Sequence, residues 1–301
     1  MKKILLFFLC LAQFGVAQQV KILSVEKINE THKGEYFYPK FSPSADFLLL
    51  THSNYKGIYK FSISDKNITT INEDAGAGYD VQISEDGSTI LYKKTEMINN
   101  LRHNLLISQQ LSSKEKTTLI TPTRENISGK LIKSSPIYVK GKQMVKNTDV
   151  SKNTTQSIIT IEDRKMVLYK NGVRKELTPN GKDKSYIWPS ISPDGLHIVY
   201  TVSGKGTFVA NIDGTNVKSL GKLSAPKWVG NKYIIGMNDI DDGEKLISST
   251  IKLVSADGKT SKKIETPQGV NAMYPSASAD GSKIAFNTDK GEIYLMNVEL
   301  K

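Results

Sequence analysis

A short phrase that recurs along the chain constrains its fold more than any other feature of the sequence. Each copy holds a serine followed closely by an aspartate, and a short apolar run comes directly after it; the four clear copies begin at Pro39, Val81, Pro189 and Pro275. The phrase suits a tight turn, because Gly accepts a positive φ and Asp bonds its own backbone. A repeated unit of about 40–50 residues built from short strands is typical of β-propellers.

The spacing of the units predicts the number of blades. Two weaker units join the four clear ones, and the 108 residues between Ile83 and Ile191 leave room for two units in all. The markers of the six units lie near Phe41, Ile83, Ile137, Ile191, Trp228 and Ala277. We therefore expect an all-β fold, a six-bladed propeller with four strands in each blade.

The two ends of the chain predict how the ring closes. The run Val20–Ile28 reads as a strand with no blade of its own, and the last unit shows only three strands before Lys301. We expect this N-terminal strand to complete the last blade and close the ring, because closure removes exposed strand edges.

The first 17 residues have the pattern of a secretory signal peptide. A basic start at Met1–Lys3 precedes an apolar run and the small residues Gly15-Val16-Ala17. Cleavage is predicted after Ala17, which leaves residues 18–301 as the propeller and gives a periplasmic or secreted protein. The apolar run is shorter than the roughly 20 residues that span a bilayer, so no membrane span is expected in the mature chain.

The charge of the chain argues against a polyanion partner. The formal net charge is +11, and subtracting Lys2 and Lys3 leaves +9 for the mature chain. The basic residues are scattered and form no stripe with interleaved aromatic residues. We interpret them as solvated strand edges and loops, and we expect no nucleic-acid partner.

One unit carries a family resemblance. The segment Pro189–Tyr200, followed by Phe208–Gly214, resembles the TolB-type propeller repeat, and Tyr274–Tyr294 is a second good copy. The resemblance covers about Tyr38–Val298. It implies a six-bladed propeller of the bacterial cell envelope that acts as a non-enzymatic docking hub. The family's N-terminal α/β domain has no counterpart in the approximately 20 residues before the first unit.

Catalytic and metal-binding residues are not expected. The motif serines Ser42, Ser84, Ser192 and Ser278 repeat at one structural position, which favours capping of a turn over a nucleophilic role. The alternative is an envelope enzyme, a glycan lyase or hydrolase with its active site in the channel. It rests on His52 and His103, which follow the second strands of adjacent blades, whereas a metal site normally needs three or more ligands. No cofactor is expected.

Aromatic residues stand just before the first strand of several units. This linker lies at one mouth of a propeller's central channel, where converging aromatic side chains form a binding surface. The alternative is that each of them packs between neighbouring blades. We expect a monomer that binds an envelope protein or peptide at this mouth. The candidate partner-binding residues are Tyr36, Tyr38, Tyr79, Tyr186, Trp188 and Tyr274.

Overall fold

The computed structural model describes residues 20–30, 34–146 and 154–300. This part of the chain forms 26 β-strands in seven antiparallel sheets and contains no α-helix. None of its helical segments is long and apolar enough to cross a membrane. The predicted signal peptide and its cleavage site at Ala17 lie outside the described residues.

Each sheet is one blade of a β-propeller, and the blades are numbered here in chain order. Blades 1 and 2 each have four strands, and three strands are described in each of blades 3 and 4. Strand β1 is Val20–Lys27. Blade 1 contains β2 Phe37–Phe41, β3 Phe47–Thr51, β4 Ile58–Ser62 and β5 Ile68–Asn72, and blade 2 contains β6 Gln82–Ile83, β7 Thr89–Ile98, β8 Leu101–Gln110 and β9 Lys116–Thr123. Blade 3 contains β10 Ile127–Ile132, β11 Ser135–Lys140 and β12 Gln143–Val145, and blade 4 contains β13 Ser157–Glu162, β14 Lys165–Lys170 and β15 Val173–Leu177.

Blades 5, 6 and 7 have four strands each, and β1 is the fourth strand of blade 7. Their strands are β16 Tyr186–Ile191, β17 His197–Val202, β18 Gly206–Asn211 and β19 Lys218–Gly221 in blade 5, β20 Ser224–Val229, β21 Tyr233–Asp241, β22 Leu246–Ser255 and β23 Ser261–Ile264 in blade 6, and β24 Met273–Ala277, β25 Lys283–Asn287 and β26 Ile293–Leu300 in blade 7.

The predicted count of six blades is wrong, because the structure has seven. The segment assigned to one weak unit contains two separate sheets, blades 3 and 4. Ile137 lies on the second strand of blade 3, whereas the hairpin of β13 and β14 belongs to blade 4. The all-β prediction itself holds, and the other five markers lie on the first strands of blades 1, 2, 5, 6 and 7.

The sequence predicts one unit in place of blades 3 and 4, because both blades lack the serine–aspartate turn and both are short. Their first and second strands are joined by two-residue turns, with left-handed backbone at Lys133 in blade 3 and at Asp163 and Arg164 in blade 4. The described strands of both blades are at most six residues long. Each blade therefore takes fewer residues than the repeat elsewhere in the chain.

The predicted closure of the ring is confirmed. Strand β1 pairs antiparallel with β26 from Val20 opposite Leu300 to Lys27 opposite Tyr294. The side chain of Asn29 extends this junction, since its Oδ1 accepts from the backbone N–H of Ile293 at 2.9 Å and its Nδ2 donates to a backbone carbonyl at 3.0 Å. Blade 7 is thus assembled from both ends of the described chain.

The motif serines cap turns, as predicted. The hydroxyls of Ser84, Ser192 and Ser278 each donate to the aspartate two residues later at 2.5 Å. Each hydroxyl also accepts the backbone N–H five residues later at 2.9 Å. In blade 1 the acceptor of Ser42 is Asp46, four residues later. The repeated phrase therefore fixes the turn between first and second strands.

Two hairpins extend beyond their blades. In blade 2 the pairing of β7 with β8 continues to Ile98 and Leu101, whereas β8 pairs with β9 only from Asn104 onward. In blade 6 the pairing of β21 with β22 continues to Asp241, past the end of pairing with β20 and β23. The turn between second and third strands lies at the end of the sheet where the first strand begins. Both hairpins therefore project from the face that holds the starts of the first strands.

Candidate ligand-binding site at the channel mouth

In five blades a residue with a left-handed backbone lies close to the start of the first strand. In four of them this residue precedes a proline, and the pair forms a β-bulge in which two residues face one on the second strand. Such bulges bend a strand and redirect its side chains. The five residues are Tyr38 (φ 54°), Asp80 (φ 54°), Trp188 (φ 51°), Ala225 (φ 48°) and Tyr274 (φ 49°).

The bulges aim aromatic rings at the mouth of the central channel. The ring of Tyr38 stacks on Tyr55 at a centroid distance of 4.4 Å and lies 4.5 Å from Tyr274. Tyr55 in turn meets the edge of Tyr79 at 5.2 Å. We call these four residues, in the order Tyr274, Tyr38, Tyr55 and Tyr79, the tyrosine row.

The row runs between the two projecting hairpins. At one end the ammonium of Lys93, on β7, lies 4.8 Å above the ring of Tyr79. At the other end the backbone N–H of Tyr274 donates to the sulfur of Met237, on β21, at 3.0 Å. The tips of the hairpins carry exposed apolar side chains on either side of the row, namely Met97, Ile98, Leu101, Ile240 and Ile247.

The tyrosine row is uncharged at neutral pH. Burial, followed by interaction with the Tyr55 hydroxyl, raises the pKa of Tyr38 to about 12. Burial, followed by the neighbouring Tyr38, raises the pKa of Tyr274 to about 12. Burial also raises the pKa of Tyr55 and of Tyr79. The row therefore offers apolar ring faces together with neutral hydroxyl groups, the combination that Tyr supplies in binding surfaces.

A central cavity of about 1120 Å³ opens beneath the row and follows the first strands. Lys40, Ser190, Lys227 and Ser276 occupy equivalent places in it, each two residues after the left-handed residue of its blade. Five lysines line this cavity, and none of its described lining residues is an arginine. We call them the channel lysines: Lys40, Lys93, Lys130, Lys170 and Lys227.

The six candidate residues divide between the cavity and the interior. Tyr38, Tyr79, Trp188 and Tyr274 line the cavity, and the side chains of Tyr79 and Trp188 are 51 % and 44 % exposed. Trp188 belongs to blade 5, so it faces the cavity apart from the tyrosine row. Whether these four residues bind a partner remains a prediction.

The other two candidates pack inside the protein. Tyr36 is buried against the rings of His52 and Tyr59, at centroid distances of 4.9 and 5.4 Å. Tyr186 is fully buried in blade 5, where its hydroxyl accepts from the backbone N–H of Asn180 at 3.0 Å. For these two residues the alternative interpretation, packing within the blades, describes what the structure shows.

Sequence reasoning missed Tyr55 and the channel lysines. Tyr55 lies between β3 and β4, where both it and Asn54 have left-handed backbones (φ 58° and 56°). A signal for Tyr55 was available, because the turn after a second strand lies on the same face as the start of a first strand. For Lys40 and Lys227 the signal was their shared position one residue after a proline.

The histidines that supported the enzyme alternative lie apart from the cavity. Nδ1 of His52 is 2.7 Å from the carbonyl oxygen of Glu35, and Nδ1 of His103 is 2.9 Å from that of Leu101. Neither belongs to the described cavity lining. Within residues 20–30, 34–146 and 154–300, no group of three or more His, Cys, Asp or Glu side chains is placed to hold a metal ion.

Comparison by sequence gives no relative, since no protein-family model and no curated protein matches the chain. Solved structures share its fold. A putative TolB from Agrobacterium tumefaciens is 17 % identical with a TM-score of 0.56, over 94 % of this chain and 99 % of that one. TolB from Acinetobacter baumannii is 16 % identical with a TM-score of 0.55. The match covers 81 % of this chain and 57 % of the length of that protein.

An enzyme is also among the similar structures. An oligogalacturonate lyase in complex with manganese is 13 % identical, with a TM-score of 0.51 over 88 % of this chain and 78 % of that one. Likenesses at these identities concern the fold and leave the choice between a binding protein and an enzyme open. The chain has a TolB-like β-propeller fold.

Proposed function

We propose that this protein is an exported, non-enzymatic binding propeller that docks an extended segment of an envelope protein or peptide across the tyrosine row. The observation that carries the proposal is the row itself, four contacting tyrosines between two projecting hairpins. Tyr and Trp dominate binding hot spots because they bury large surfaces and keep a polar group available. The periplasmic or secreted location is part of the proposal and rests on the N-terminal sequence.

The backbone at the mouth supports a functional role for the row. A non-Gly residue held in a left-handed conformation costs about 1–3 kcal/mol and persists only where its surroundings compensate. Tyr38, Tyr55 and Tyr274 all have such backbones, and Tyr38 contacts both of the others and lies between them. Left-handed backbones in contacting aromatic residues at an open mouth favour a preorganised binding surface over simple packing.

Shape narrows the kind of partner. The two hairpins stand at the two ends of the row, and their tips add exposed apolar side chains there. An extended peptide can lie along such a row and place alternate side chains toward the rings and toward the cavity below. A partner segment that carries aromatic or aliphatic side chains fits this surface.

Photo-crosslinking in the native envelope tests the proposal. A benzoylphenylalanine residue replaces Tyr79 or Trp188, the two most exposed aromatic residues of the cavity, in the full chain. We expect a discrete crosslinked species from both positions. The matched control is Val173, which is 68 % exposed on strand β15 of blade 4. Absence of a discrete species at both mouth positions, or the same species at Val173, would contradict docking at this mouth.

The second candidate function is a glycan lyase or hydrolase with its active site in the channel. It is favoured by the similarity of fold to a lyase and by a cavity of about 1120 Å³, large enough for a small ligand. The discriminating assay incubates the purified protein with oligogalacturonate and manganese and follows product formation. Turnover that is abolished by Lys40→Gln with Lys227→Gln, two substitutions in the cavity lining, would replace the binding function with this enzymatic one.

A further inference from the structure

The channel lysines form no ion pair with any carboxylate that the structure describes. Among the described residues, no carboxylate oxygen lies within 4.0 Å of their ammonium nitrogens, although ten ion pairs occur elsewhere in the chain. Lys40 donates to the carbonyl of Val81, and Lys93 lies over the Tyr79 ring. The cavity wall thus holds ammonium groups that no described carboxylate pairs directly, although Asp80 lies near enough to raise the pKa of Lys40 and of Lys93.

Acidic residues along the cavity leave an excess of positive charge. Asp80, Glu85 and Asp194 line it, against the five lysines. Asp194 is already engaged by its turn, because it accepts from Ser192 at 2.5 Å and from the backbone of Leu196 at 3.0 Å. Walls of low dielectric focus a field of one sign within a cleft, so the channel attracts anions.

Crowding of charge supports the same conclusion. Burial, opposed by Asp80 and assisted by the nearby ammonium of Lys227, lowers the pKa of Lys40 to about 8. Burial also lowers the pKa of Lys93 and of Lys130. A bound anion would relieve this penalty by pairing with the charged amines.

The arrangement of the lysines indicates the kind of anion. They stand on blades 1, 2, 3, 4 and 6, which distributes them around the wall. The described lining lacks the guanidinium fork that recognises one phosphate in a bidentate manner. Dispersed ammonium groups suit several separate carboxylates, as an extended chain with acidic side chains presents them.

We propose that the channel lysines form an anion-binding site for the carboxylate side chains of an acidic peptide segment, with Lys40 and Lys227 as its centre. This inference rests on the proposed docking function and names the chemistry of the docked segment. The peptide's apolar side chains would lie on the tyrosine row, while its Asp or Glu side chains reach the layer below, where Lys40 and Lys227 occupy equivalent positions on blades 1 and 6.

Calorimetric titration of the full mature chain with capped synthetic peptides tests the site. The probes are hexaglutamate and hexaglutamine, which differ in charge and not in backbone length. We expect hexaglutamate to bind and hexaglutamine not to bind, and the affinity for hexaglutamate to fall as salt is raised, as charge pairing requires. Equal binding of both peptides, or binding of neither, would overturn the proposal.

Two double variants distinguish binding at the channel lysines from non-specific attraction of an anionic peptide to a basic protein. Lys40→Gln with Lys227→Gln should lower the affinity for hexaglutamate about tenfold or more, since two charge pairs are lost. Lys21→Gln with Lys218→Gln removes the same charge from exposed positions on β1 and β19 and should leave the affinity almost unchanged. Equal losses in the two double variants would contradict a channel site.

A third probe identifies the source of the carboxylates. Trigalacturonate carries three carboxylates on a sugar backbone, and binding of it without binding of hexaglutamate would overturn the assignment to a peptide. The outcome is also distinguishable from failure of the docking function. If crosslinking at Tyr79 and Trp188 succeeds while the affinity for hexaglutamate does not depend on Lys40 and Lys227, docking at the mouth is supported and the acidic-segment inference is wrong.

Discussion

Tyr38 and Tyr55 stack face to face, with centroids 4.4 Å apart and ring planes 25° from parallel, and both have left-handed backbones. Tyr38 is the second residue of the first strand of blade 1, and Tyr55 lies in the turn after its second strand. A stacked aromatic pair contributes about 0.5–1.5 kcal/mol beyond the burial of its area. The contact therefore helps to offset the strain of the two backbones, and it links the bulge of the first strand to the binding surface.

Substitutions at Tyr38 test this strain directly. Glycine accepts φ 54° without penalty, whereas alanine retains the strain of a Cβ atom, about 1–2 kcal/mol. We expect Tyr38→Gly to be more stable than Tyr38→Ala by about 1 kcal/mol in urea unfolding, although both lose the same ring. At Ile247, an exposed strand residue, we expect the usual order of stability, in which the Ala variant is more stable than the Gly variant. The usual order at Tyr38 would argue against strain.

The hairpin tips should affect binding and not folding. Met97 and Leu101 are 67 % and 46 % exposed at the end of the blade 2 hairpin. Changing both to Gln should alter the free energy of unfolding by less than about 0.5 kcal/mol each, as is usual for surface positions. Crosslinking of the partner through Tyr79 should nevertheless weaken. Val173→Gln on blade 4 is the matched control, and an equal loss of crosslinking there would count against the hairpin as part of the surface.

Ring closure depends on Asn29. This residue is only 7 % exposed, and its side chain satisfies the backbone N–H of Ile293 and the carbonyl of Gly291. Asn29→Ala leaves the buried N–H of Ile293 without this partner, whereas the carbonyl of Gly291 keeps the N–H of Tyr36, and the loss should cost about 1–3 kcal/mol in chemical unfolding. Glu26→Ala removes the exposed pair with Lys66 and should cost at most about 1 kcal/mol. A similar cost for both variants would assign Asn29 no special part in closure.

The sequence predicted every blade that uses the serine–aspartate turn, and also blade 6, which lacks it, but it gave one unit in place of blades 3 and 4. The turn is predictable because it depends on residue types. The hydroxyls of Ser84, Ser192 and Ser278 each donate to the aspartate two residues later. Blades 3 and 4 use two-residue turns instead, at Lys133 and at Asp163, and many residue types can occupy such turns. Without such a turn, the short apolar strands of this segment are compatible with one long unit or with two short units. Only the pairing of the strands distinguishes these two arrangements.

The candidate site was predicted in part for a similar reason. Strict alternation along a strand places Tyr186 and Trp188 on the same side. The bulge at Trp188 and Pro189, which together face Tyr200, breaks that alternation. Tyr186 is therefore buried while Trp188 faces the cavity. The contribution of Tyr55 depends on contacts between elements, and sequence position alone does not reveal such contacts.

The capped turns should make the protein sensitive to acid. The hydrogen bond from Ser278, followed by the backbone N–H of Ser282, lowers the pKa of Asp280 to about 2. A carboxylate with a lowered pKa contributes stability above its ordinary pKa near 4, and this contribution is lost as the pH falls toward 2. The difference in unfolding free energy between the wild type and Asp280→Asn should therefore be larger at pH 5 than at pH 2.5. A constant difference would contradict the role of the charged form.

Titration of Lys40 should move anion binding and stability in opposite directions. Its pKa is lowered to about 8 by burial and by Lys227, with Asp80 acting against them. As the pH rises from 7 to 9 the amine loses its charge, so the affinity for hexaglutamate should fall several-fold. Over the same range stability should rise, because the unfolded chain, with an ordinary lysine pKa near 10.5, then binds more protons than the folded one.

Two variants at Lys40 assign these changes to the residue. Lys40→Arg keeps its charge at both pH values, so its affinity for hexaglutamate should depend less on pH than that of the wild type. Lys40→Gln should bind hexaglutamate weakly at pH 7. Between pH 8 and 10 its free energy of unfolding should rise less than that of the wild type, because the contribution of Lys40 is missing. Burial also lowers the pKa of Lys93 and Lys130, so a smaller change in the same direction persists in both variants. A wild-type affinity that stays constant from pH 7 to 9 would show that the charge of Lys40 does not contribute to anion binding.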